Sequence, residues 1–368
     1  MKSKRKKLLV NLRKLSVKPS GIGMYTYNFV NGMLEYDDFE IIGITDVMQS
    51  SEIKSLKQKG MKIIKYNKKV DKNFEVFKYF DFIEELIIKE QPDFFWEPNQ
   101  IIPKNMKRKC PKTKIIVTIH DIFPITTPQF YSMKYRIYFK YFQKKTIKNA
   151  DAIIYVSNFS KEETNNVFKE SKNKPSFISY NIVNKPKFEH ELKNNNYFLY
   201  IGNIEKRKGV HLLLDAYELY KKDGGDEGLK IAGAIRDKEI QNKLNVLINE
   251  YPNHVEYCGY IDEERKWKLL AECSAFVFPS FAEGFGIPPL EAMFMKKSVI
   301  ISNIEIFREI FGNHVNYFNL DNYDNSINNV TKSLLYYNAL SNESYNFIVN
   351  IYKNSLLIKK MIDFIHIL

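Results

Sequence analysis

Short apolar runs alternate with segments of helical spacing along the whole chain of 368 residues. The first six runs typical of strands are Lys7–Leu12, Glu40–Thr45, Met61–Tyr66, Asp93–Glu97, Lys114–Ile119 and Ala152–Val156. A second series lies at Tyr197–Gly202, Leu229–Ala232, Val255–Gly259, Ala275–Pro279, Ser298–Ser302 and Asn316–Phe318. Because the strands alternate with helices, we predict an α/β fold whose parallel sheets are covered on both faces.

A polar stretch, Glu189–Asn196, separates the two series of strands. We therefore predict two Rossmann-like domains facing a central cleft: an N-terminal domain over residues 1–188 and a C-terminal domain over residues 197–350, joined by a linker over residues 189–196. The apolar end of the chain has helical spacing, so we predict that residues 351–368 form a helix crossing back to the N-terminal domain.

Charge is distributed unevenly between the two halves. The net charge is +13, and residues 1–180 hold 34 Lys and Arg against 19 Asp and Glu, whereas residues 181–368 hold 22 against 24. A basic half indicates either an anionic membrane surface as partner or a composition that only keeps the protein soluble. No nucleic-acid-binding module is recognisable, so nucleic acid is not an expected partner.

The remaining composition points to a globular protein of a reducing compartment. Hydrophobic residues make up 44% and charged residues 27%, which excludes a disordered chain. The three cysteines lack metal-ligand spacing, and no apolar run has the length of a membrane span. The apolar piece Leu8–Val10 is too short for a signal peptide. We expect a cytoplasmic protein that can also lie peripherally on the inner face of the membrane.

The stretch from Ser280 onward carries the strongest chemical signal. It follows an apolar run that is typical of a buried strand, and open α/β sheets bind ligands at the carboxyl ends of their strands. Gly284 and Gly286 permit close backbone approach, and the N-terminus of the helix that follows favours an anion. Glu283 and Glu291 can each accept hydrogen bonds from a pair of hydroxyls. A phosphate and two diols together describe a nucleotide sugar.

A second candidate is the basic turn Lys206–Gly209, between a strand and a helix. Arg207 can bind a diphosphate through its planar fork and Lys208 as a point charge. The alternative is an ordinary solvated basic turn.

Two further candidates lie in the first half of the chain. The segment Ser20–Thr26 leads into a helix, and Gly21 and Gly23 permit contact with a phosphate, although a plain helix entry explains them equally well. His120 ends an apolar strand, where it can exchange a hydrogen bond with a ligand; a core histidine bound to the backbone is the alternative.

Aromatic and basic residues interleave over Tyr131–Lys148. Such a helix suits a lipid headgroup layer. Aromatic residues at helical spacing are more often part of a protein core, and the two interpretations stay open.

Taken in order, these motifs resemble the retaining glycosyltransferases of family 4, which have the GT-B fold. The resemblance rests on Gly21–Thr26, His120-Asp121 with Pro124 and Pro128, Val156–Lys161, Ile201–Lys208, Ile231–Gly233, Gly259-Tyr260, and the two glutamates Glu283 and Glu291. Two positions depart from the family pattern: Lys296-Lys297-Ser298 replaces the usual Gly and Pro, and Asn203 stands where many members have arginine.

The resemblance implies a role for each matching residue. Glu283 contacts the donor sugar, and Glu291 holds the ribose hydroxyls. Arg207 and Lys208 neutralise the leaving diphosphate, His120 contacts the sugar from the N-terminal domain, and the Gly21–Gly23 loop closes over the phosphate. The remaining donor-binding positions, acting through their backbone or through the loops they belong to, are Gly233, Tyr260, Ile261, Gly284, Phe285, Gly286 and Ile287.

The implied reaction is transfer of a hexose, with mannose or rhamnose favoured, from a nucleoside-diphosphate sugar to a saccharide or lipid-linked acceptor in surface-polysaccharide assembly. No Asp-x-Asp motif ends a strand and no carboxylate nucleophile is evident, so we expect front-face retention without a metal or other cofactor. The alternatives are a catalytically silent GT-B subunit that binds a nucleotide, and a GT-B epimerase or phosphorylase.

Overall fold

The computed structural model describes residues 5–15, 20–66, 75–183 and 191–368. The chain divides into two compact units, one formed by Met1–Ile182 with Lys353–Leu368 and the other by Val183–Tyr352. Of the predicted linker, residues 189 and 190 lie outside the described residues, and residues 191–196 have no regular secondary structure.

The first unit is built on a seven-stranded parallel sheet of order β3-β2-β1-β4-β5-β6-β7. Its strands are β1 (Lys6–Asn11), β2 (Phe39–Thr45), β3 (Lys62–Lys65), β4 (Phe94–Glu97), β5 (Lys114–Ile119), β6 (Ala152–Tyr155) and β7 (Ser176–Ile178). Its helices before the second unit are α1 (Gly21–Met33), α2 (Ser51–Gln58), α3 (Glu75–Glu90), α4 (Met106–Lys109), α5 (Phe123–Thr126), α6 (Met133–Asn149) and α7 (Asn158–Val167).

The second unit contains a six-stranded parallel sheet of order β10-β9-β8-β11-β12-β13. Its strands are β8 (Tyr197–Ile201), β9 (Gly228–Ala232), β10 (Val255–Gly259), β11 (Ala275–Phe278), β12 (Ser298–Ser302) and β13 (Asn316–Phe318). Its helices are α8 (Val210–Lys222), α9 (Lys238–Glu250), α10 (Glu263–Glu272), α11 (Ile287–Phe294), α12 (Glu305–Phe311), α13 (Tyr323–Leu335) and α14 (Asn342–Ile351).

All twelve predicted strands are present, and the α/β prediction is confirmed. The sequence missed β7, a three-residue edge strand that pairs with β6 through Ile153 and Ser176. Its residues are all only half-buried, so the segment has neither a continuous apolar run nor enough length to show a period of two.

The last helix, α15 (Asn354–His366), belongs to the first unit. It packs against α1 so closely that a Cβ atom on Gly32 would lie 2.2 Å from Cδ1 of Ile358. Phe364 stacks on Phe177 with 5.3 Å between ring centroids. The buried apolar face of α15 thus completes the core of this unit.

Within the described part of the chain, no helix has both the length and the apolar character that a bilayer span requires. The three cysteines are buried and unpaired.

Candidate active site

Two loops meet at the carboxyl edge of the second sheet, on either side of the point where strand order reverses. One loop follows β8 and carries Lys206–Gly209, and the other follows β11 and carries Ser280–Gly286. The strands β8 and β11 are neighbours in the sheet, although the chain passes through β9 and β10, on the other side of β8, before it reaches β11. Ligands of open α/β sheets bind at this kind of crevice.

The loop after β11 turns sharply into α11. Gly286 has φ 104°, a left-handed conformation that favours glycine, and α11 begins at Ile287 with Pro288 in its first turn. A Cβ atom at Gly286 would lie 2.8 Å from the ring of Phe307. Phe285 is buried and makes an edge contact with Tyr352, at 5.9 Å between ring centroids. The predicted helix start is therefore confirmed.

Lys208 and Glu283, predicted separately, form a buried ion pair. Nζ of Lys208 binds Oε1 of Glu283, and their side chains are 15% and 9% exposed. The same carboxylate oxygen accepts a hydrogen bond from Oγ of Ser280 at 2.9 Å, and the ammonium group lies 5.3 Å from the ring centroid of Phe278. Burial lowers the pKa of Lys208, and Glu283 opposes that shift. An ammonium group is thus held in a largely desolvated position, where charge interactions are strong.

Arg207 fastens the two loops together. Its guanidinium donates to the carbonyl oxygen of Ala282 at 2.7 Å and to Oε1 of Glu205 at 2.8 Å, while its own carbonyl accepts from the N–H of Phe281 at 2.9 Å. Arg207 and Lys208 are therefore not solvated side chains, since they are 17% and 15% exposed and bind the loop that contains Glu283, whereas Lys206 of the same turn is 52% exposed. Its role as a second cation for a diphosphate stays a prediction.

Glu291 lies on α11 and is 9% exposed. Its Oε1 atom binds Nζ of Lys266, on α10, at 2.6 Å, and Lys266 also pairs with Glu263 at 2.9 Å. Burial raises the pKa of Glu291, while Lys266 opposes the shift. Although burial lowers the pKa of Lys266, the two glutamates together raise it.

Two glycines shape the neighbouring strand ends, after β9 and β10. Gly233 has φ 141°, and a Cβ atom there would lie 1.8 Å from the carbonyl oxygen of Gly202; its N–H donates to the carbonyl of Gly259 at 2.8 Å. Gly259 leads into Tyr260, which is 55% exposed, and Ile261, which is partly buried. Both predicted loops therefore begin at the carboxyl edge that holds Lys208.

In the first unit, the structure brings together the two segments predicted there. Gly21 and Gly23 lie in the first turn of α1, and Tyr25 from the same helix makes an edge contact with His120, at 5.1 Å between ring centroids. His120 follows β5 and is 8% exposed. Its Nε2 atom lies 2.8 Å from the carbonyl oxygen of Pro98. That oxygen can only accept, so Nε2 carries the proton and Nδ1 the lone pair.

Burial lowers the pKa of His120 to about 4, so the imidazole is neutral at physiological pH. The hydrogen bond from Nε2 to the Pro98 carbonyl agrees with the alternative of a core histidine bound to the backbone. Contact of the His120 ring with a sugar stays a prediction.

Two family models cover most of the chain in succession. The model described as Glycosyltransferase Family 4 matches residues 19–184, and the one described as Glycosyl transferases group 1 matches residues 183–350. The chain belongs to glycosyltransferase family 4.

Two curated relatives of this family 4 member act on O-antigen chains. The O-antigen chain mannosyltransferase RfbU of Salmonella typhimurium is 30% identical over 213 residues, 56% of either chain. O-antigen chain mannosyltransferase B of Escherichia coli is 28% identical over 239 residues, 61% of either chain. The matched regions thus span 56% and 61% of the length of these relatives.

Solved structures show the same fold. Anabaena Alr3699/HepE, in complex with UDP and glucose, has a TM-score of 0.74 at 14% identity, over 99% of this chain and 100% of that chain. Sucrose-phosphate synthase from Thermosynechococcus elongatus has a TM-score of 0.72 at 14% identity, over 97% of each. The GT-B fold predicted from the motifs is confirmed.

Sequence reasoning missed three residues, Lys266 and Ser280 beside the predicted positions of the second unit and Glu97 in the first unit. Lys266 has no motif around it, and only the tertiary structure reveals its pairing with Glu291. Ser280 directly follows the predicted strand Ala275–Pro279, and this position at a strand end could have marked it as a candidate. Glu97 also ends a strand, β4, and a carboxylate that closes the run Phe94-Phe95-Trp96 was the clearest missed signal.

Proposed function

We propose that the protein is a retaining glycosyltransferase. It moves a hexose, with mannose or rhamnose favoured, from a nucleoside-diphosphate sugar to a saccharide or lipid-linked saccharide acceptor. The buried pair of Lys208 and Glu283 carries this proposal. It holds a cation and a carboxylate side by side at the strand-order reversal, next to the N-terminus of α11. The mannosyltransferase relatives support the choice of sugar.

The pair of Lys208 and Glu283 can be exchanged for interactions with a donor. A diphosphate near Lys208 competes for its ammonium group, which frees Glu283 to accept hydrogen bonds from sugar hydroxyls. Glu291, whose Oε1 atom is bound by Lys266, accepts hydrogen bonds from the two ribose hydroxyls. The donor therefore replaces a buried ion pair and leaves neither charge without a partner, which limits the desolvation cost of binding.

In the reaction, the bond between the anomeric carbon and the diphosphate oxygen breaks as the acceptor oxygen bonds to the same face of that carbon. The acceptor proton passes to the departing phosphate oxygen, so no protein base is consumed. Negative charge grows on the diphosphate in the transition state, where Lys208 and the α11 N-terminus stabilise it. Arg207 adds a second positive charge close by. These groups supply the neutralisation without a metal ion.

The function is tested by a donor screen with GDP-, UDP- and dTDP-sugars. The correct donor at a hundred times its dissociation constant stabilises the native protein by about 2.7 kcal/mol, which a thermal-shift assay detects. We expect Glu291→Gln to weaken this stabilisation, because a ribose contact is lost. Glu263→Gln is the matched control, because Glu263 is the other carboxylate that pairs with Lys266 and is 66% exposed. This variant is expected to retain the stabilisation.

The product then decides between the proposed mechanism and its rivals. We expect nucleoside diphosphate release that depends on an acceptor and persists in EDTA, and an NMR coupling at the new linkage that shows the anomeric configuration of the donor. Inverted configuration or loss of turnover in EDTA contradicts the mechanism. Donor binding without turnover on any acceptor identifies a silent subunit, and a change of the free nucleotide sugar identifies an epimerase.

We also propose that the first unit binds an anionic membrane surface, placing the enzyme on the cytoplasmic face of a bilayer. Helix α6 contains six Lys and Arg and no acidic residue. Met133, Ile137 and Tyr141 follow one another at intervals of four residues and are 62%, 64% and 49% exposed. Among the aromatic residues of α6, Phe139 is buried at 3% exposure, as the core alternative predicts, whereas Tyr138 and Phe142 are only partly buried. An exposed apolar strip within a cationic helix suits a headgroup layer.

Vesicle sedimentation tests this surface. We expect the protein to sediment with phosphatidylglycerol vesicles but not with phosphatidylcholine vesicles, and to do so less at high salt. Ile137→Glu removes an apolar contact and adds a repelled charge, so binding is expected to fall at least about tenfold. Val246→Glu, at an equally exposed position (64%) on α9, is expected to bind as the unmodified protein does. Binding that does not weaken at high salt, or that Ile137→Glu does not reduce, contradicts the proposal.

A further inference from the structure

The first sheet also has a strand-order reversal, between β1 and β4, and a buried carboxyl group lies there. Asn11 ends β1, and Glu97 ends β4. These positions correspond to the β8 and β11 ends that precede the loops with Lys208 and Glu283 in the second unit. Glu97 is 1% exposed, and the reaction proposed above does not use it.

Both oxygens of Glu97 accept hydrogen bonds from neutral groups. Oε2 accepts from Nδ2 of Asn11 at 2.6 Å, and Oε1 accepts from the backbone N–H of Asn99 at 2.9 Å. Asn11 is itself oriented, because its Oδ1 accepts from the hydroxyl of Tyr79 at 2.8 Å and from the N–H of Arg13 at 3.1 Å. Among the described residues, no ion pair to Glu97 is found.

The residue that binds His120 lies in a turn next to Glu97. The backbone N–H of Asn99 donates to the Glu97 carboxylate, so this hydrogen bond spans Pro98, and the carbonyl oxygen of Pro98 binds Nε2 of His120 at 2.8 Å. The next residue, Gln100, has φ 66°, so the turn keeps a conformation that side chains rarely adopt. An ionised Glu97 satisfies the Asn11 and Asn99 donors together. A protonated Glu97 has a hydroxyl directed at one of two N–H groups, and one of the bonds is lost.

Charged and titratable groups face Glu97 from several elements. Arg13 and Lys14 follow β1, Asp46 follows β2 and pairs with Arg13 at 2.8 Å, and Tyr79 lies on α3. Burial raises the pKa of Glu97 to about 7, while hydrogen bonds from Asn11 and Asn99, and the more distant charges of Lys14 and Arg13, oppose the shift. Glu97 therefore changes its charge near neutral pH.

We propose that Glu97 is a positioning residue whose ionised form holds the Pro98 carbonyl, and through it the tautomer and orientation of the His120 ring. Its protonation loosens the Pro98 turn and lowers turnover. This inference rests on the proposed function for its kinetic consequence, whereas its structural consequence for His120 can be observed without any substrate.

The kinetic test is the dependence of kcat on pH. For the unmodified enzyme, kcat is expected to fall about tenfold between about pH 8 and about pH 6, because each pH unit below a pKa lowers the ionised fraction tenfold. Glu97→Gln places an amide N–H₂ against an N–H donor, so its kcat is expected to be low and independent of pH across this range. Asn11→Ala removes a bond that favours the carboxylate, so the fall is expected to begin at higher pH.

Glu84→Gln is the control for a lost buried carboxylate. Glu84 is 5% exposed, lies on α3 and pairs with Lys109, and its variant is expected to keep the unmodified pH profile. A Glu97→Gln profile that keeps the acidic fall, or an Asn11→Ala profile that does not move, overturns the proposal.

The structural test is the ¹⁵N resonance of the His120 ring in protein without substrate. In the unmodified protein, it is expected to shift with a midpoint near the Glu97 titration while the ring stays neutral. In Glu97→Gln the shift is expected to vanish. If no donor is turned over, the proposed function fails, and this titration alone still decides the role of Glu97. A His120 resonance that does not respond to Glu97 overturns that role.

Discussion

Lys208→Met is expected to lower kcat by about 10²–10³-fold, the usual loss when one preorganised group that stabilises a transition-state charge is removed. Methionine keeps much of the length of the side chain and its contact with the Phe278 ring, but it cannot neutralise a leaving diphosphate. The measurement is acceptor-dependent release of nucleoside diphosphate. Unchanged turnover would refute the proposed charge neutralisation.

Two further variants separate this effect from damage to the fold. Lys206→Met changes the lysine two positions earlier, which is 52% exposed and pairs with Glu239, and is expected to retain turnover within about twofold. Lys208→Met leaves Glu283 buried without its cation, which costs stability. The double variant Lys208→Met/Glu283→Gln is expected to recover stability but not turnover. Recovered turnover would mean that Lys208 serves only as the partner of Glu283.

Gly209→Ala is expected to destabilise the second unit by about 2–5 kcal/mol. Gly209 has φ 68°, and a Cβ atom there would lie 1.9 Å from the carbonyl oxygen of Pro279. The left-handed conformation costs alanine about 1–2 kcal/mol, and relieving the overlap costs about 1–3 kcal/mol more. Because Gly209 adjoins Lys208, the displacement also separates the two loops, and we expect turnover to fall.

Gly259→Ala is the matched control. Gly259 has the same φ of 68°, but a Cβ atom there would have no neighbour within 4 Å, so only the conformational cost of about 1–2 kcal/mol is expected. Urea unfolding can be followed through Trp267, which lies in the second unit, in a Trp96→Phe background. Equal losses in the two variants would show that the contact with Pro279 is not responsible.

The sequence predicted elements whose signal is local. Apolar runs such as Ala275–Phe278 are continuous because both faces of a parallel sheet are buried, so the strands could be identified without knowing their partners. The α11 helix start was equally readable, since Gly286 and Pro288 have strong conformational preferences. The edge strand β7 lacked such a signal.

The resemblance to family 4 identified the candidate site residues one by one, but it did not give their partners. Glu283 was assigned to a sugar and Lys208 to a phosphate, and their mutual ion pair was not foreseen. Lys266, the partner of Glu291, has no motif that would mark it.

The sequence by itself determined the α/β class, the strand positions, the turn into α11 and the family. The first three follow from periodicity and from the conformational preferences of single residues, and the family follows from the resemblance of the motifs. Only the tertiary structure decided that Lys208 is paired with Glu283, that Glu97 accepts a hydrogen bond from Asn99 in the turn whose Pro98 carbonyl binds His120, and that the apolar strip of α6 is exposed. The first two depend on strand order, because parallel crossovers bring strand ends that are far apart in sequence to neighbouring positions at one edge of a sheet, and the third depends on which face of α6 the rest of the unit covers.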